Sequence, residues 1–364
     1  MPHSCIQYDT DGFPYLCLDK DKGQNGLTLP DIKIAARSIF SIDYAESFIT
    51  PHNLVASPQG QFSGTYIKTG KETFGILLGE EFNPFLYRGE NKKYSDFVPS
   101  AMRYDFKNEN VNVNRCIDWI KKQEFLALFK KSPYYIRCRR FSVLDCLYDF
   151  DLEAVAQHYG FVTNYIDVTK DLFTALFFAY TYIDADGYHP ITDFESYCPM
   201  LYTANMQTFT DAVLDQIKII GFQSVLRPFK QTAMALDVSA TGAKEFFTAW
   251  ELPKDYAVSS AVYEHFFKGK DLFPDEIISY YAQHILQNSV LDEKLLAIFC
   301  NSEKLDASAM CKKIEESGFS VRENSYNFSP AQTCAMHSEI TAGIIPFLQN
   351  KIAYRGVCPM ADVD

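Results

Sequence analysis

From Leu172 to Tyr180 the chain reads LFTALFFAY, nine residues whose only side-chain polar atoms are the hydroxyls of Thr174 and Tyr180. A helix of that composition is apolar nearly all round and has no face to offer water. It is about half the ~18 residues that a membrane-spanning helix requires. The medium that accepts it therefore has to be the protein's own interior, and the fold must place packed layers on most of its sides. The material for this is present: 47% of the 364 residues are apolar and 15% aromatic, enough for a large core and against disorder over most of the chain. Length alone allows about two domains.

The flanks of that helix set its local frame. Cys146 to Tyr159 fits one helix stopped by Gly160, and Phe161–Asp167 reads as a short strand rich in β-branched and aromatic residues. The apolar helix then starts near Thr169, with Thr169 or Asp167 as its cap and Asp171 in its first turn. Upstream, residues 1–25 read as a loose lead-in, and a helix is expected from Thr28 with Pro30 in its first turn. Phe62–Lys68, Thr73–Gly79 and Phe85–Gly89, separated by turn formers, predict an antiparallel meander. Downstream, Arg227–Val238 predicts strand–turn–strand. Leu295–Cys300, Ala307–Ser317 and Phe319–Arg322 predict strand, amphipathic helix and strand, with Gly318 as the stop. The expected fold is α+β: a mixed, largely antiparallel sheet packed with buried helices, plus a small C-terminal α/β lobe. The divisions fall at 1–80 (flanking helix and hairpin region), 81–275 (main domain) and 276–364 (lobe).

Charge narrows the partners. With 34 Lys+Arg against 46 Asp+Glu, the formal net charge of -12 disfavours a broad phosphate-tracking surface. One small anion site is still allowed, because that depends on local geometry. The segment Lys121–Arg140 is the one basic cluster, with Lys121, Lys122, Lys130, Lys131, Arg137, Arg139 and Arg140 against Glu124. It reads as a solvated helix face before it reads as a nucleic-acid contact. The ten cysteines include no C-x-x-C pair, and Cys334 with His337 stands alone at ligand spacing, so no metal site is expected. Without a leader or a spanning segment, reduced thiols in the cytoplasm and no membrane partner are the expectation.

Two blocks carry a family resemblance. Phe85-Leu86-Tyr87-Arg88-Gly89-Glu90, followed by Val98-Pro99-Ser100, and Ala156-Gln157-His158-Tyr159-Gly160 running through Asp167-Val168-Thr169 into Ala175-Leu176-Phe177-Phe178-Ala179 resemble the two signatures of the FRG domain. Arg227…Gln231 and Leu272-Phe273-Pro274-Asp275 are similar to later family segments, with Thr232-Ala233-Met234 departing from the family's Gly and aromatic. The resemblance covers about residues 82–276, so the main domain is identified as an FRG domain, a family of unsettled activity. Its layout is in turn similar to that of ADP-ribosyltransferases, in which a first-strand Arg holds the dinucleotide and a later Glu orients the ribose. That implies a nucleotide-binding protein with NAD or another nucleotide as ligand, glycosyl transfer from NAD as its reaction, and bacterial conflict or defence as its setting. The alternative is a non-catalytic interaction or sensor module whose motif residues are structural.

Each implied site residue has two readings. Arg88 and Gly89 form an anion clamp, the guanidinium on phosphate and the glycine allowing close approach, or Arg88 pairs with a core carboxylate such as Asp167. His158 is a general acid/base, or a helix-terminal histidine that caps carbonyls and packs on Tyr159. Asp167 and Thr169 polarise a ligand hydroxyl or orient His158, with capping as their main role. Gln157 and Gln231 offer amides to a nicotinamide or base edge, or sit buried beside a turn. Tyr159 would line the pocket, and Glu251 is the nearest carboxylate to the third transferase position. Arg88, His158 and Thr169 are expected on one concave site. A strand of roughly 23 Å would lie between the last two, so that only an extended ligand, with Arg88 on its phosphates, touches all three.

Overall fold

The computed structural model describes residues 85–341, except 106, 109, 144–145, 207–208, 210–212, 214–215, 221–224 and 239–242. For 141–143, 146, 148, 219 and 243 it describes the backbone alone, as it does for five short strands outside that range. The helix expected from Thr28 lies outside the described residues.

In chain order, β1 (Cys5–Tyr8) pairs antiparallel with β2 (Pro14–Cys17), where a loose lead-in was expected, and β3 (Thr65–Lys68) pairs antiparallel with β4 (Thr73–Leu77). β5 (Phe85–Glu90) leads to α1 (Val111–Phe129), α2 (Pro133–Cys138), β6 (Phe141–Val143) and β7 (Cys146–Tyr148). Next come α3 (Leu152–His158), β8 (Tyr165–Thr169), α4 (Leu172–Tyr180), the hairpin of β9 (Thr181–Asp184) and β10 (Gly187–Pro190), and β11 (Met200–Asn205). β12 (Ile217–Ile219), α5 (Leu226–Lys230), β13 (Ala233–Asp237), β14 (Thr248–Glu251) and α6 (Tyr256–His265) follow. The C-terminal part comprises α7 (Ile277–Gln287), β15 (Val290–Asp292), α8 (Glu293–Glu303), α9 (Ala307–Glu316), β16 (Ser320–Arg322) and α10 (Pro330–Glu339), with β17 (Val357–Pro359) returning to pair with β6.

The fold is α+β. Its centre is a six-stranded antiparallel sheet in the order β12-β13-β8-β5-β11-β14, and a second sheet runs β17-β6-β7-β4-β3. The predicted meander is thus split. β3 and β4 form the hairpin, but β5 leaves them to pair with β11 and β8, strands more than seventy residues downstream. Leu86 and Tyr87, adjacent and therefore on opposite faces, are both fully buried, which demands a central strand covered on both sides.

One face of the sheet packs α4 and α6 around Tyr87, Leu176, Phe177 and Val262; the other holds Leu86, Phe97, Val168 and Tyr202. Eight of the nine residues of α4 are buried, as the apolar run required. Its cap is Asp171, whose carboxylate accepts from the Phe173 and Thr174 amides at 3.2 and 2.9 Å, rather than Thr169 or Asp167. Several boundaries move for similar reasons. Asp151 accepts from Ala154 N and starts α3 there, leaving Cys146–Tyr148 as strand. Phe161 stacks on Phe125 at 4.6 Å in a core, so β8 begins only at Tyr165. Leu226–Lys230 forms a helical turn instead of a strand, ending at Thr232 with φ +46° before β13. Leu295–Cys300 is helical, with Leu296, Phe299 and Cys300 buried at one-face spacing behind an Asp292 cap.

Part of the basic segment is built into the fold, while Lys130 and Arg140 are exposed. Lys121, Lys122 and Glu124 on α1 are buried; Lys121 Nζ donates to Leu286 O, and Lys131 Nζ to Tyr326 O. α1 packs Phe125 and Phe129 toward α3 and α7, and Val113 and Ile120 toward α8 and α9. The C-terminal strands β15 and β16 pair parallel with α8 and α9 between them, and Gly318, at φ +89°, ends α9 as expected. Among the described residues, no helix is long and apolar enough to cross a membrane, no His/Cys/Asp/Glu group could hold a metal, and Cys116, Cys138, Cys198, Cys300, Cys311 and Cys334 are free thiols.

Candidate functional site

The central sheet is two three-stranded halves joined at one point. β5 shares six paired positions with β11, and β8 shares five with β13, but β5 and β8 meet only at Tyr87 and Thr169. Beside that single pair, Arg88–Glu90 and Asp167–Val168 border a cavity of about 620 Å³, within the size range of small-molecule sites. Arg88 Nη1 donates across the gap to Asp167 O at 2.8 Å, where a ladder bond would otherwise run.

Alternation from the Tyr87–Thr169 pair sends Gly89, Asp167 and Thr169 to one face and Arg88 and Glu90 to the other. Two contacts agree with this. A Cβ on Gly89 would lie 1.7 Å from Ala175 O of α4, and the Arg88 guanidinium lies over the Phe97 ring at 5.3 Å. Gly89 is therefore required by strand–helix packing. Arg88 donates through Nε to Glu90 Oε1 at 2.9 Å, so its carboxylate partner is Glu90, and Asp167 supplies a backbone carbonyl. Glu90 is itself 8% exposed, with Oε2 unpartnered.

His158 closes α3, which Gly160 stops at φ +91°. Its side chain is 5% exposed. Nδ1 lies 2.9 Å from Gln231 Oε1, while Nε2 has no hydrogen-bond partner and sits 3.4 Å from Asp167 Oδ1. That carboxylate oxygen already accepts from Gln157 Nε2 at 2.7 Å. Gln231, 4% exposed, donates through Nε2 to Leu272 O at 3.0 Å. Behind the ring, Arg227 Nη1 donates to His158 O at 2.9 Å, and Arg227 is held in turn by its own amide on Glu276 Oε1. Burial pushes the Glu276 carboxyl upward, against the hydrogen bonds from Tyr159 and the amides of α5.

Of the residues singled out in the sequence, Arg88, Gly89, His158, Asp167, Thr169 and Gln231 line the cavity. Gln157 stands behind Asp167. Tyr159 turns away: its hydroxyl donates to Glu276 Oε1 at 2.6 Å, and burial holds its phenol well above the usual range. Glu251 sits on the edge strand β14, two strands from β5, half-exposed beside Lys93 and Lys254. Thr169 Oγ1 donates to Gln231 O at 2.7 Å and accepts from Asp171 N, which commits the hydroxyl to the turn into α4.

Two expectations about the site's geometry change. Arg88, on the face of β5 opposite to the Asp167 side chain, bonds the Asp167 carbonyl, while His158, at the end of α3, approaches the Asp167 carboxylate, so Asp167 stands between the two. His158 and Thr169 both reach Gln231, so they lie close together, because residues 161–164 fold back instead of extending a seven-residue strand. Sequence reasoning also missed Glu90, readable as the residue two positions from Arg88 and hence on its face, and Tyr188 of β10. Tyr188 lines the cavity and stacks on Phe273 at 4.7 Å; burial, then the nearby Asp167 charge, pushes its phenol up to about 12. Nothing in the local sequence marks Tyr188.

In comparison with known proteins, the family model of the FRG domain matches residues 83–187. The matched span includes Arg88, His158, Asp167 and Thr169 and stops before Tyr188, Gln231 and Glu251. No curated protein and no solved structure matches the chain.

Proposed function

With residues 83–187 an FRG domain, we propose that its cavity is a nucleotide site, with NAD the leading ligand, and that it supports ADP-ribosyltransferase-like glycosyl transfer with His158 as the acid–base group. The observation that carries this reading is His158 Nε2: buried, without a hydrogen-bond partner and 3.4 Å from the Asp167 carboxylate, on a residue that lines the cavity. A buried polar atom left open is costly unless something else fills the position. In this chemistry the bond from ribose C1′ to the nicotinamide nitrogen breaks, and its electron pair leaves with nicotinamide. The acceptor's nucleophile then bonds to C1′ as its proton passes to Nε2. Asp167 is the carboxylate placed to stabilise the cationic ribose, the role that Glu251 is too remote to fill. Phe178, Tyr182 and Tyr188 supply aromatic wall for a base or nicotinamide, and exposed Arg103, whose Nε donates to Val98 O, is available to phosphates. The setting we attach to this activity, microbial defence, rests on family-level association, and the cytoplasm on the cysteine usage.

A sensor without chemistry is the second reading, favoured by the internal commitments of Arg88, Gly89 and Thr169. One pair of measurements separates the two. NAD or ADP-ribose should raise the melting temperature of the wild-type protein by mass action, and His158→Asn should abolish the shift. Release of nicotinamide from NAD identifies the transferase; binding without release identifies the sensor. If no common nucleotide stabilises the protein, the nucleotide reading is wrong.

A further inference from the structure

The hydrogen bonds behind His158 fix more than its position. A carbonyl oxygen can only accept, so the Gln231 amide that meets Leu272 O at 3.0 Å must present its NH₂ there. Its Oε1 is then the atom 2.9 Å from His158 Nδ1, and Nδ1 must carry the hydrogen. In neutral His158, Nε2 is therefore a bare lone pair. Its 3.4 Å separation from Asp167 Oδ1 agrees, since two acceptors do not bond and that oxygen already receives Gln157. Nε2 and the Asp167 carboxylate are thus acceptors side by side, on two residues that line the cavity together with Tyr188.

We infer that Gln231 is a positioning residue that holds His158 as the Nδ1–H tautomer, and that the ligand group received by the His158–Asp167 corner bears N–H donors, as an amide or amine does, and is not an anion. Phosphate or carboxylate at this corner would face two acceptors and a negative charge. The arrangement also joins two segments far apart in sequence, Arg227…Gln231 and Leu272, behind one imidazole: Arg227 holds its carbonyl and Gln231 its ring. The inference rests on the reading of the cavity as a ligand site, but the tautomer stands apart from NAD chemistry.

The test uses the full chain labelled with ¹⁵N-histidine, the His158 signals being assigned by their loss in His158→Asn. Wild-type His158 should show the Nδ1–H pattern. Gln231→Leu should lose it, and Gln231→Glu, which keeps an acceptor at the same place, should restore it. An Nε2–H pattern in the wild type, or an unchanged pattern in Gln231→Leu, overturns the positioning role. Nicotinamide and nicotinate, one ring with a donor amide or an anionic carboxylate, then probe the corner. Nicotinamide should perturb the His158 signals at a concentration at least about tenfold lower than nicotinate. Equal effects, stronger nicotinate, or no effect of nicotinamide overturns the donor preference. A failed NAD assay alongside a positive nicotinamide result would instead count against the transferase reading alone.

Discussion

The two signature blocks of the FRG domain occupy opposite sides of the same gap in the sheet and are used in opposite ways. In the first, Arg88 bonds Glu90 and a backbone carbonyl, Gly89 admits the backbone of α4, and Glu90 keeps one carboxylate oxygen, Oε2, without a partner. In the second, the histidine is gripped by Gln231 and Arg227, and its Nε2 is buried without a hydrogen-bond partner. A motif that looks like a ligand clamp in one dimension is here a fastening between halves of a sheet. Each block leaves one buried polar atom without a partner: Glu90 Oε2, whose other oxygen takes Arg88, and His158 Nε2, on the ring that Gln231 holds. The contrast teaches that a functional atom is found by asking which buried polar group lacks a partner, and motif strength does not answer that question.

The contrast is sharpest in stability. Arg88→Ala should cost about 3–5 kcal/mol, because it leaves Glu90 buried and uncompensated, whereas replacing both by apolar residues of similar volume should cost far less. Urea titration of the single and double variants measures the difference. A double variant as damaged as the single would show that the guanidinium does more than neutralise Glu90. Gly89→Ala should cost about 3 kcal/mol, at the top of the overpacking range, since the new methyl collides with a helix carbonyl that cannot rotate away. A loss below about 1 kcal/mol would mean that the sheet and α4 are not tightly seated, and the fastening reading would fail.

A buried carboxyl far from the gap supplies a pH contrast. Glu124 on α1 is pushed up to about 7, chiefly by burial, while its Oε1 accepts from Asp292 N and Asn324 Nδ2 and Lys121 and Asp292 bear on its charge. Its folded-state value lies above the unfolded value of about 4.3. The stability linked to its proton is therefore complete below pH ~4.3 and lost as pH rises through about 7, up to about 3 kcal/mol in all. Glu124→Gln should remove that slope, so that the variant gains on the wild type between pH 5 and pH 8 in paired denaturation curves. Parallel pH profiles would place the titration elsewhere.

What was legible in the sequence follows the range of the forces involved. The burial of α4 was plain from nine residues, and the stops at Gly160 and Gly318 were plain from one each, because both are local. Phe161 and Leu295–Cys300 were misassigned because an apolar run alone does not reveal whether it packs as strand or helix. The partners of β5 lie too far along the chain for any local pattern to name them. The site divided likewise. Arg88, His158 and Asp167 were picked out by motif, but their faces depend on register, and Glu251 was chosen by chain position when Glu90 stood two residues from Arg88.

The smallest expected stability effect is the most informative. In His158→Asn the new amide nitrogen can take the place of Nδ1 and donate to Gln231 Oε1, so the hydrogen bond that fastens the corner survives. What disappears is Nε2, which bonds to nothing in the folded chain. Removing a group without a partner forfeits no hydrogen bond, so the cost should be about 1 kcal/mol or less, several-fold below that of Arg88→Ala. Stabilisation by a nucleotide should vanish in the same variant, since the lost atom is the unpartnered nitrogen of a residue that lines the cavity. The pair of results separates the two sides of the gap: on the Arg88 side stability falls most, and on the His158 side ligand response falls while stability holds. If His158→Asn instead loses as much stability as Arg88→Ala, the imidazole is a core residue like its counterpart, both blocks are folding signatures, and the sensor or interaction reading gains at the expense of the enzyme.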